Sequence, residues 1–328
     1  MKKGILIANL GSIDACEKKV LAEFLHQFLM DERVIDLRFW KRWLLVNLII
    51  VPFRTPKSLK EYRKLFTSEG SPLLLHSHRL ATAVQAELGE DYAVELAMRY
   101  GNPSIESALA KLKTQGVDEI VVFPLFPQYA SATVGSVHQE VMRIVSSWHV
   151  IPSLRFVSSF YDNPIFLKCQ ADSIQSALKN QPNSHLVLSY HGIPERHVKL
   201  SKSCGLGGED VKSINYNYQS ACFHHSQLLA ERLQLDDSQL ATCFQSRLGK
   251  DPWIQPYTSE TIVKLARRGA KNVIVCAPSF VADCLETTIE IGEQYRDLFL
   301  QNGGEKFTLV ESLNSSADWV KALAKMVK

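Results

Sequence analysis

The chain has 328 residues, 46% hydrophobic and 22% charged, with a formal net charge of +3. These proportions are ordinary for a globular protein and exclude a disordered chain, a collagen and a coiled-coil rod. The charge is too slight for a nucleic-acid partner, which wants a strongly basic face. At roughly 150 residues per domain the length suggests about two domains, large enough to need no disulfide staples.

In chain order, Met1-Lys2-Lys3-Gly4 leads into an apolar run at 5–10. It is too short for a signal core and contains Asn9, so it reads as a strand. Five more runs, at 94–98, 120–126, 186–190, 240–244 and 273–277, are β-branched or continuously apolar, as strands buried on both faces are. Between them, 17–30, 77–88, 104–114, 164–179, 222–233 and 259–267 carry apolar residues three and four apart and predict helices. Alternating strands and helices predict an α/β fold with parallel sheets flanked by helices. The longest apolar stretch, 43–53, is about half of what a membrane-spanning helix needs. The seven cysteines (16, 169, 204, 222, 243, 276 and 284) form no CxxC and read, with no export signal, as free thiols of a cytoplasmic protein.

The chain repeats itself weakly. Gly116 and Gly269, 153 positions apart, each close a helix before a strand. At the same spacing Pro103 meets Pro256, Leu109 meets Ile262, Leu112 meets Leu265 and Val122 meets Val275. Leu10-Gly11 falls on His191-Gly192 at 181, a difference of 28 residues between the first two strands of each half. The expected architecture is therefore two similar doubly wound lobes with a cleft between them: residues 1–155, and 156–328 with the reactive groups. In open α/β sheets ligands bind beyond the carboxyl ends of the strands.

Four stretches fall at strand ends. Leu188-Ser189-Tyr190-His191-Gly192-Ile193-Pro194 ends a buried strand on an imidazole that can take a proton or bind a metal; a histidine merely hydrogen-bonded at a strand end gives the same pattern. After the 273–277 strand come Glu286, Glu290 and Glu293, spaced to share one face of an α-helix. They suit proton transfer or a borderline divalent metal, and equally a solvated acidic stripe. Phe126-Pro127-Gln128-Tyr129 offers aromatics for a flat apolar ligand or a packed loop. Arg54, Tyr62, Ser71 and Arg99-Tyr100 offer donors for ligand carboxylates or surface pairing. No GxGxxG or P-loop follows any strand, which disfavours a nucleotide enzyme, and the glycine-rich 205–208 segment reads as a loop.

Together these motifs resemble the ferrochelatase family nearly end to end. The resemblance runs through Asn9-Leu10-Gly11, Asp31-Glu32-Arg33-Val34, Glu69-Gly70-Ser71-Pro72-Leu73, Met98-Arg99-Tyr100-Gly101-Asn102-Pro103, Phe126-Pro127-Gln128-Tyr129, Tyr190-His191-Gly192-Ile193-Pro194-Glu195-Arg196, Phe244-Gln245-Ser246-Arg247, Asp251-Pro252-Trp253 and Leu285-Glu286-Thr287. It implies a lyase that inserts Fe²⁺ into protoporphyrin IX, the last step of haem biosynthesis, with iron as substrate and no required cofactor. It implies His191 as pyrrole-proton acceptor and metal ligand, Glu286 as its partner and second ligand, and Glu290 as the next acid of a proton relay. It implies Arg54, Tyr62 and Ser71 near the propionates, and Arg99, Tyr129, Trp253 and Phe280 lining or flanking the porphyrin. The chain departs from the family at Cys284, where many relatives have histidine, and at Gln294, where a third relay acid is common; Glu293 stands beside it as a substitute. Some relatives hold a [2Fe–2S] cluster. Here Cys204, Cys222 and Cys243 lack an evident fourth thiolate, so no cluster is expected.

Two rivals stand beside this reading: another type II chelatase, such as a sirohydrochlorin or cobalt chelatase, which is expected to share the lobes but not the Gly-Ser-Pro, Pro-Gln-Tyr and Gln-Ser-Arg motifs, and a non-catalytic haem carrier. Aromatic, basic and apolar residues mix over 37–53, fitting either a peripheral contact with the inner membrane or a lip over the ligand. A monomer and a homodimer are both compatible with the sequence.

Overall fold

The computed structural model describes residues 2–203, 214–247, 249 and 251–328; Cys204 and the 205–208 segment lie outside the described residues. The chain folds into two compact units, Met1–Phe126 with Ala130–Ser158 and Ser315–Lys328, and Pro127–Tyr129 with Ser159–Asn314.

The first unit carries β1 (Lys3–Asn9), β2 (Tyr92–Met98), β3 (Glu119–Pro124) and β4 (Ser153–Phe156) in the order β2-β1-β3-β4. The second carries β5 (His185–His191), β6 (Leu240–Gln245), β7 (Asn272–Cys276) and β8 (Lys306–Leu309) in the order β6-β5-β7-β8. Every pairing is parallel. Helices flank both sheets because the central strands are apolar throughout: Ile5, Leu6, Ile7 and Ala8 are fully buried, as are Leu186, Val187 and Leu188. Leu109, Leu112 and Val122 join the first core; Ile262 and Val275 join the second, with Leu265 packed against it.

The fold shows the repeat. Helices Ile105–Thr114 and Thr258–Arg267 are 153 positions apart at both ends, and so are β4 and β8. Pro103 and Pro256 both follow cis peptide bonds. Helix starts obey local chemistry: the Ser104 hydroxyl accepts the Ser107 N–H at 3.1 Å, and Asn163 accepts the Ile165 N–H at 3.0 Å just before Pro164. The last helix, Ala317–Val327, packs on Pro72–Leu88 of the first unit and buries Trp319 completely.

Parallel order 2-1-3-4 has its topological switch point between the first and third strands, where the crossovers leave in opposite directions. In the second unit this falls beyond the carboxyl ends of β5 and β7. His191 ends β5, and the segment leading to Phe280 and Glu286 follows β7.

Candidate functional site

The last residue of β5 is His191, paired in register with Gln245, the last residue of β6. Its ring Nδ1 lies 2.6 Å from the carbonyl oxygen of Gly192. A carbonyl only accepts, so the proton is assigned to Nδ1, which leaves Nε2 as the ring's acceptor. The His191 main chain is held as well: the Tyr218 hydroxyl donates to its carbonyl at 2.8 Å and lies 3.2 Å from the Ser279 hydroxyl. Glycine is required next in sequence, because a Cβ at position 192 would lie 2.8 Å from the Gln245 carbonyl oxygen and 3.1 Å from the Trp253 ring. In the first unit Gly11 plays the corresponding part, at φ +117°, against the Tyr100 carbonyl.

Two aromatic residues flank the imidazole. The rings of Trp253 and Phe280 have centroids 6.3 and 6.2 Å from that of His191. Trp253 is placed by an antiparallel bridge to Pro194 and by the Ile254 N–H, which donates to the Ile193 carbonyl at 3.0 Å. Tyr129, also in the second unit, packs edge-on against Tyr216 at 5.1 Å.

Glu286 opens a helix that is not α-helical. Residues Glu286–Tyr295 wind as a π-helix. With i→i+5 bonding a turn takes roughly 4.4 residues, so Glu290 stays near the line of Glu286 while Glu293 is turned well away. The expectation that Glu286, Glu290 and Glu293 share one face rested on α-helical periodicity, and it is corrected by this winding. Glu290 is held tightly: it accepts the Ser246 N–H at 2.9 Å, the Ser246 hydroxyl, and the Tyr295 hydroxyl at 2.6 Å. Burial, with Glu290's charge next, raises the Tyr295 phenol well above its usual range, so it remains a donor. Ser246 presents both of its donors from a left-handed backbone at φ +65°. Cys284 is buried beside Glu286; burial first, and then the Glu286 charge, push its thiol well up and keep it protonated.

The remaining residues assigned by resemblance lie in the first unit. Ser71 is buried and its hydroxyl donates to Ser12 at 2.8 Å. Tyr62 is buried on the helix Val51–Leu65, which also carries the half-buried Arg54. Arg99 binds Asp31 at 2.8 Å and the Ser136 hydroxyl at 2.7 Å, with its guanidinium over the Tyr100 ring. Asp31 is therefore the carboxylate that holds Arg99, a pairing that motif reading did not find, since the spacing of Asp31, Arg99 and Ser136 offers no periodic signal that could have joined them. Among the described residues, no group of three or more His, Cys, Asp and Glu side chains is gathered as a metal site.

The profile of the ferrochelatase family matches residues 2–328. A ferrochelatase of Legionella pneumophila (strain Lens) is 42% identical over 331 residues, covering 100% of this chain and 99% of its own. Ferrochelatases of Bdellovibrio bacteriovorus and Coxiella burnetii (strain Dugway 5J108-111) are 39% and 40% identical, over 100% of this chain and 99% and 93% of theirs. Among solved structures, SirB from Bacillus subtilis with Fe³⁺ superposes with a TM-score of 0.55 at 14% identity, covering 100% of this chain and 94% of that one. The sirohydrochlorin chelatase SirB from Bacillus subtilis subspecies spizizenii in complex with cobalt gives 0.57 at 13%, covering 99% and 93%. At those identities the structural likeness establishes the chelatase fold alone.

Proposed function

The chain belongs to the ferrochelatase family, and from that membership we propose that it inserts Fe²⁺ into protoporphyrin IX, forming protohaem and releasing two protons, as the last step of haem biosynthesis. The observation that carries the reading within the chain is His191 at the switch point of the second sheet, its Nε2 the acceptor and its ring flanked by Trp253 and Phe280.

A free porphyrin is flat and carries two pyrrole N–H groups where the metal must go. Insertion requires a bent ring, a base for the protons and a partly desolvated iron. In this reading the Trp253 and Phe280 rings bear on the macrocycle, and binding energy from the rest of the ring offsets the strain of bending it. His191 Nε2 accepts pyrrole protons, an assistance typically worth about 10²–10⁴-fold. Glu286 is the second iron ligand and the next acceptor, and Glu290 lies near its line on the π-helix. Because Glu293 is turned away and Gln294 carries no acid, the relay we propose ends at Glu290. Arg54, Tyr62 and Ser71 remain the residues assigned to the propionates, and Arg99 and Tyr129 those assigned to the porphyrin's surroundings.

No [2Fe–2S] cluster belongs to this reading. Four thiolates are usually required, and beside Cys204, Cys222 and Cys243 the sequence offers no evident fourth. We place the protein in the cytoplasm, in peripheral contact with the inner membrane through 37–53. Within that segment Phe39, Trp40, Leu48, Ile49 and Phe53 are all more than half exposed. Among the described residues no helix is long and apolar enough to cross a membrane.

The test is His191→Ala. Zinc or iron insertion should fall by at least about 10²-fold, the low end for loss of a general base. Porphyrin binding, followed by quenching of its fluorescence, should stay within a few-fold of the parent. Parent-like turnover by the variant overturns the assignment.

A further inference from the structure

The imidazole and the first glutamate stand on different elements, a strand end and a π-helix. Their separation must be fixed by whatever joins those elements. Within the second unit one side chain does so from a fully enclosed position. Gln245 is only 2% exposed, and it touches both arms.

On the histidine side the connection is made by the backbone. Gln245 is the register partner of His191, and its carbonyl accepts the N–H of Gly192 at 2.8 Å. The Gly192 carbonyl in turn accepts from His191 Nδ1. On the glutamate side the connection is made by the side chain. The Ser189 hydroxyl donates to Gln245 Oε1 at 2.7 Å, and the amide's nitrogen end is identified by the acceptor-only groups it meets, the Glu286 carbonyl and the Glu290 carboxylate. The Nε2 end then faces the π-helix, donating to the Glu286 carbonyl at 3.3 Å and reaching the Glu290 carboxylate at 3.5 Å. The next residue, Ser246, completes the attachment through its backbone N–H and hydroxyl to Glu290. Ser189 lies two residues before His191 on β5, so the amide is anchored to the histidine's own strand at one end and to the glutamate's helix at the other.

We propose that Gln245 is a positioning residue for metal insertion: it sets the spacing between the His191 imidazole and the Glu286 carboxylate by bracing β5 against the first turn of the π-helix. The proposal rests on His191 and Glu286 acting together in the chelatase reaction. Gln245 does not touch the porphyrin in this account. It acts through the two residues that do, and a displacement of about 1 Å at reacting groups can cost about 10²-fold in rate.

The chemistry predicts an ordered series. Gln245→Met keeps the length and apolar volume but loses both ends of the brace. Gln245→Asn keeps an amide but is one methylene too short to span. Gln245→Glu keeps Oε1 but replaces the donor with an acceptor facing the Glu286 carbonyl and the Glu290 carboxylate. Steady-state zinc insertion into protoporphyrin should show kcat lowered about 10–100-fold in Gln245→Met and Gln245→Glu, with KM for porphyrin changed less than about threefold. Gln245→Asn should show a smaller loss. The decisive arm is the double variant: if Gln245 works by placing Glu286, then in a Glu286→Gln background the Gln245→Met change should lower kcat by less than twofold.

Circular dichroism and porphyrin fluorescence quenching select the folded, binding-competent variants for comparison. If Gln245→Met proves unfolded, Gln245→Asn and Gln245→Glu carry the same test. A kcat within twofold of the parent in folded Gln245→Met and Gln245→Glu overturns the proposal, and so does a Gln245→Met loss as large in the Glu286→Gln background as in the parent. Failure of the underlying reading looks different: the parent chain itself would then not insert zinc or iron.

Discussion

At the scale of single residues, Asp31 shows how far a motif can be from its role. The Asp31-Glu32-Arg33-Val34 stretch supports the family resemblance, and Arg99 was assigned beside a porphyrin, yet nothing in either segment says that the two meet. In the fold Asp31 accepts from the Ser136 hydroxyl at 2.5 Å, the Arg33 N–H at 2.8 Å, the Tyr100 hydroxyl at 2.8 Å and Arg99 at 2.8 Å. Burial alone would raise its carboxyl; the donors of Ser136, Arg33 and Tyr100, with the Arg99 charge, outweigh that and hold it below the ordinary carboxylate range. Such a carboxylate adds stability above its unfolded pKa, roughly 3.9, and loses that contribution as pH falls through the folded value. Asp31→Asn should therefore cost about 3 kcal/mol at pH 7, because it strands a largely buried guanidinium. Urea midpoints measured from pH 7 down to 3 should show parent and variant converging below about pH 4. A pH-independent gap would mean that the charge on Asp31 is not what stabilises the unit. The place of His191, by contrast, was legible, since an apolar strand followed by Gly and Pro marks where the chain turns away, while its role came from the family resemblance. The role of Gln245 was hidden because its partners, Ser189 and Glu286, come from different parts of the chain.

Whole elements were read best where burial is two-sided. β1, β3, β5 and β7 were visible as uninterrupted apolar runs, whereas β4 and β8 were missed. Those two are four-residue edge strands whose burial alternates or is only partial, so they carry no such run. The π-helix was invisible for another reason: acids at 286, 290 and 293 fit α-helical spacing equally well, and the wider winding depends on tertiary packing. The segment from Phe39 to Leu65 raises the opposite question, because its polarity is inverted. Arg42 is buried and donates to the carbonyls of Ile35 and Leu37 at 3.2 and 2.8 Å, while Phe39, Trp40 and Phe53 are 66%, 57% and 79% exposed. A segment that turns its aromatics outward and its arginine inward fits the proposed membrane contact, and Lys41 beside Trp40 suits anionic headgroups. Replacing Phe39, Trp40 and Phe53 together by Ser removes side chains worth roughly 1.5–3 kcal/mol each if buried in lipid. Liposome flotation with anionic vesicles should then drop at least tenfold, with zinc insertion in detergent retained. Unchanged flotation would leave the segment as a lip over the ligand.

At the scale of the molecule, the spacing of 153 predicted a duplication, and both sheets have the same strand order with matching crossover helices and edge strands. The duplication does not extend to chemistry. The switch point of the second sheet carries His191 and leads to Glu286, whereas the corresponding end of the first sheet carries the Asp31–Arg99–Ser136 cluster. One consequence of the second unit's interior concerns acid. His225 is fully buried; its Nδ1 accepts from the Gln128 amide at 2.9 Å, and Gln128 Oε1 accepts from Ser279 at 3.0 Å. Burial, and secondarily the neighbouring His224, push the His225 imidazole down to about 3. The folded chain keeps this ring neutral while the unfolded chain protonates it near its ordinary value of about 6.5. Unfolding therefore takes up a proton between those two values, and stability falls as pH is lowered through that window, by about 1.4 kcal/mol per pH unit for this one group. A His225→Phe variant, which keeps the aromatic packing against Phe166 and Tyr190, should lose one proton from the uptake on unfolding. Its urea-derived stability should be lower than the parent's at pH 7, because the Gln128 amide loses its acceptor, and should decline less steeply between pH 6 and 4. Equal slopes for the two proteins in that range would show that His225 is protonated in the folded chain, and that the Gln128–Ser279 connection beneath the site is built on a charged ring instead of a neutral one.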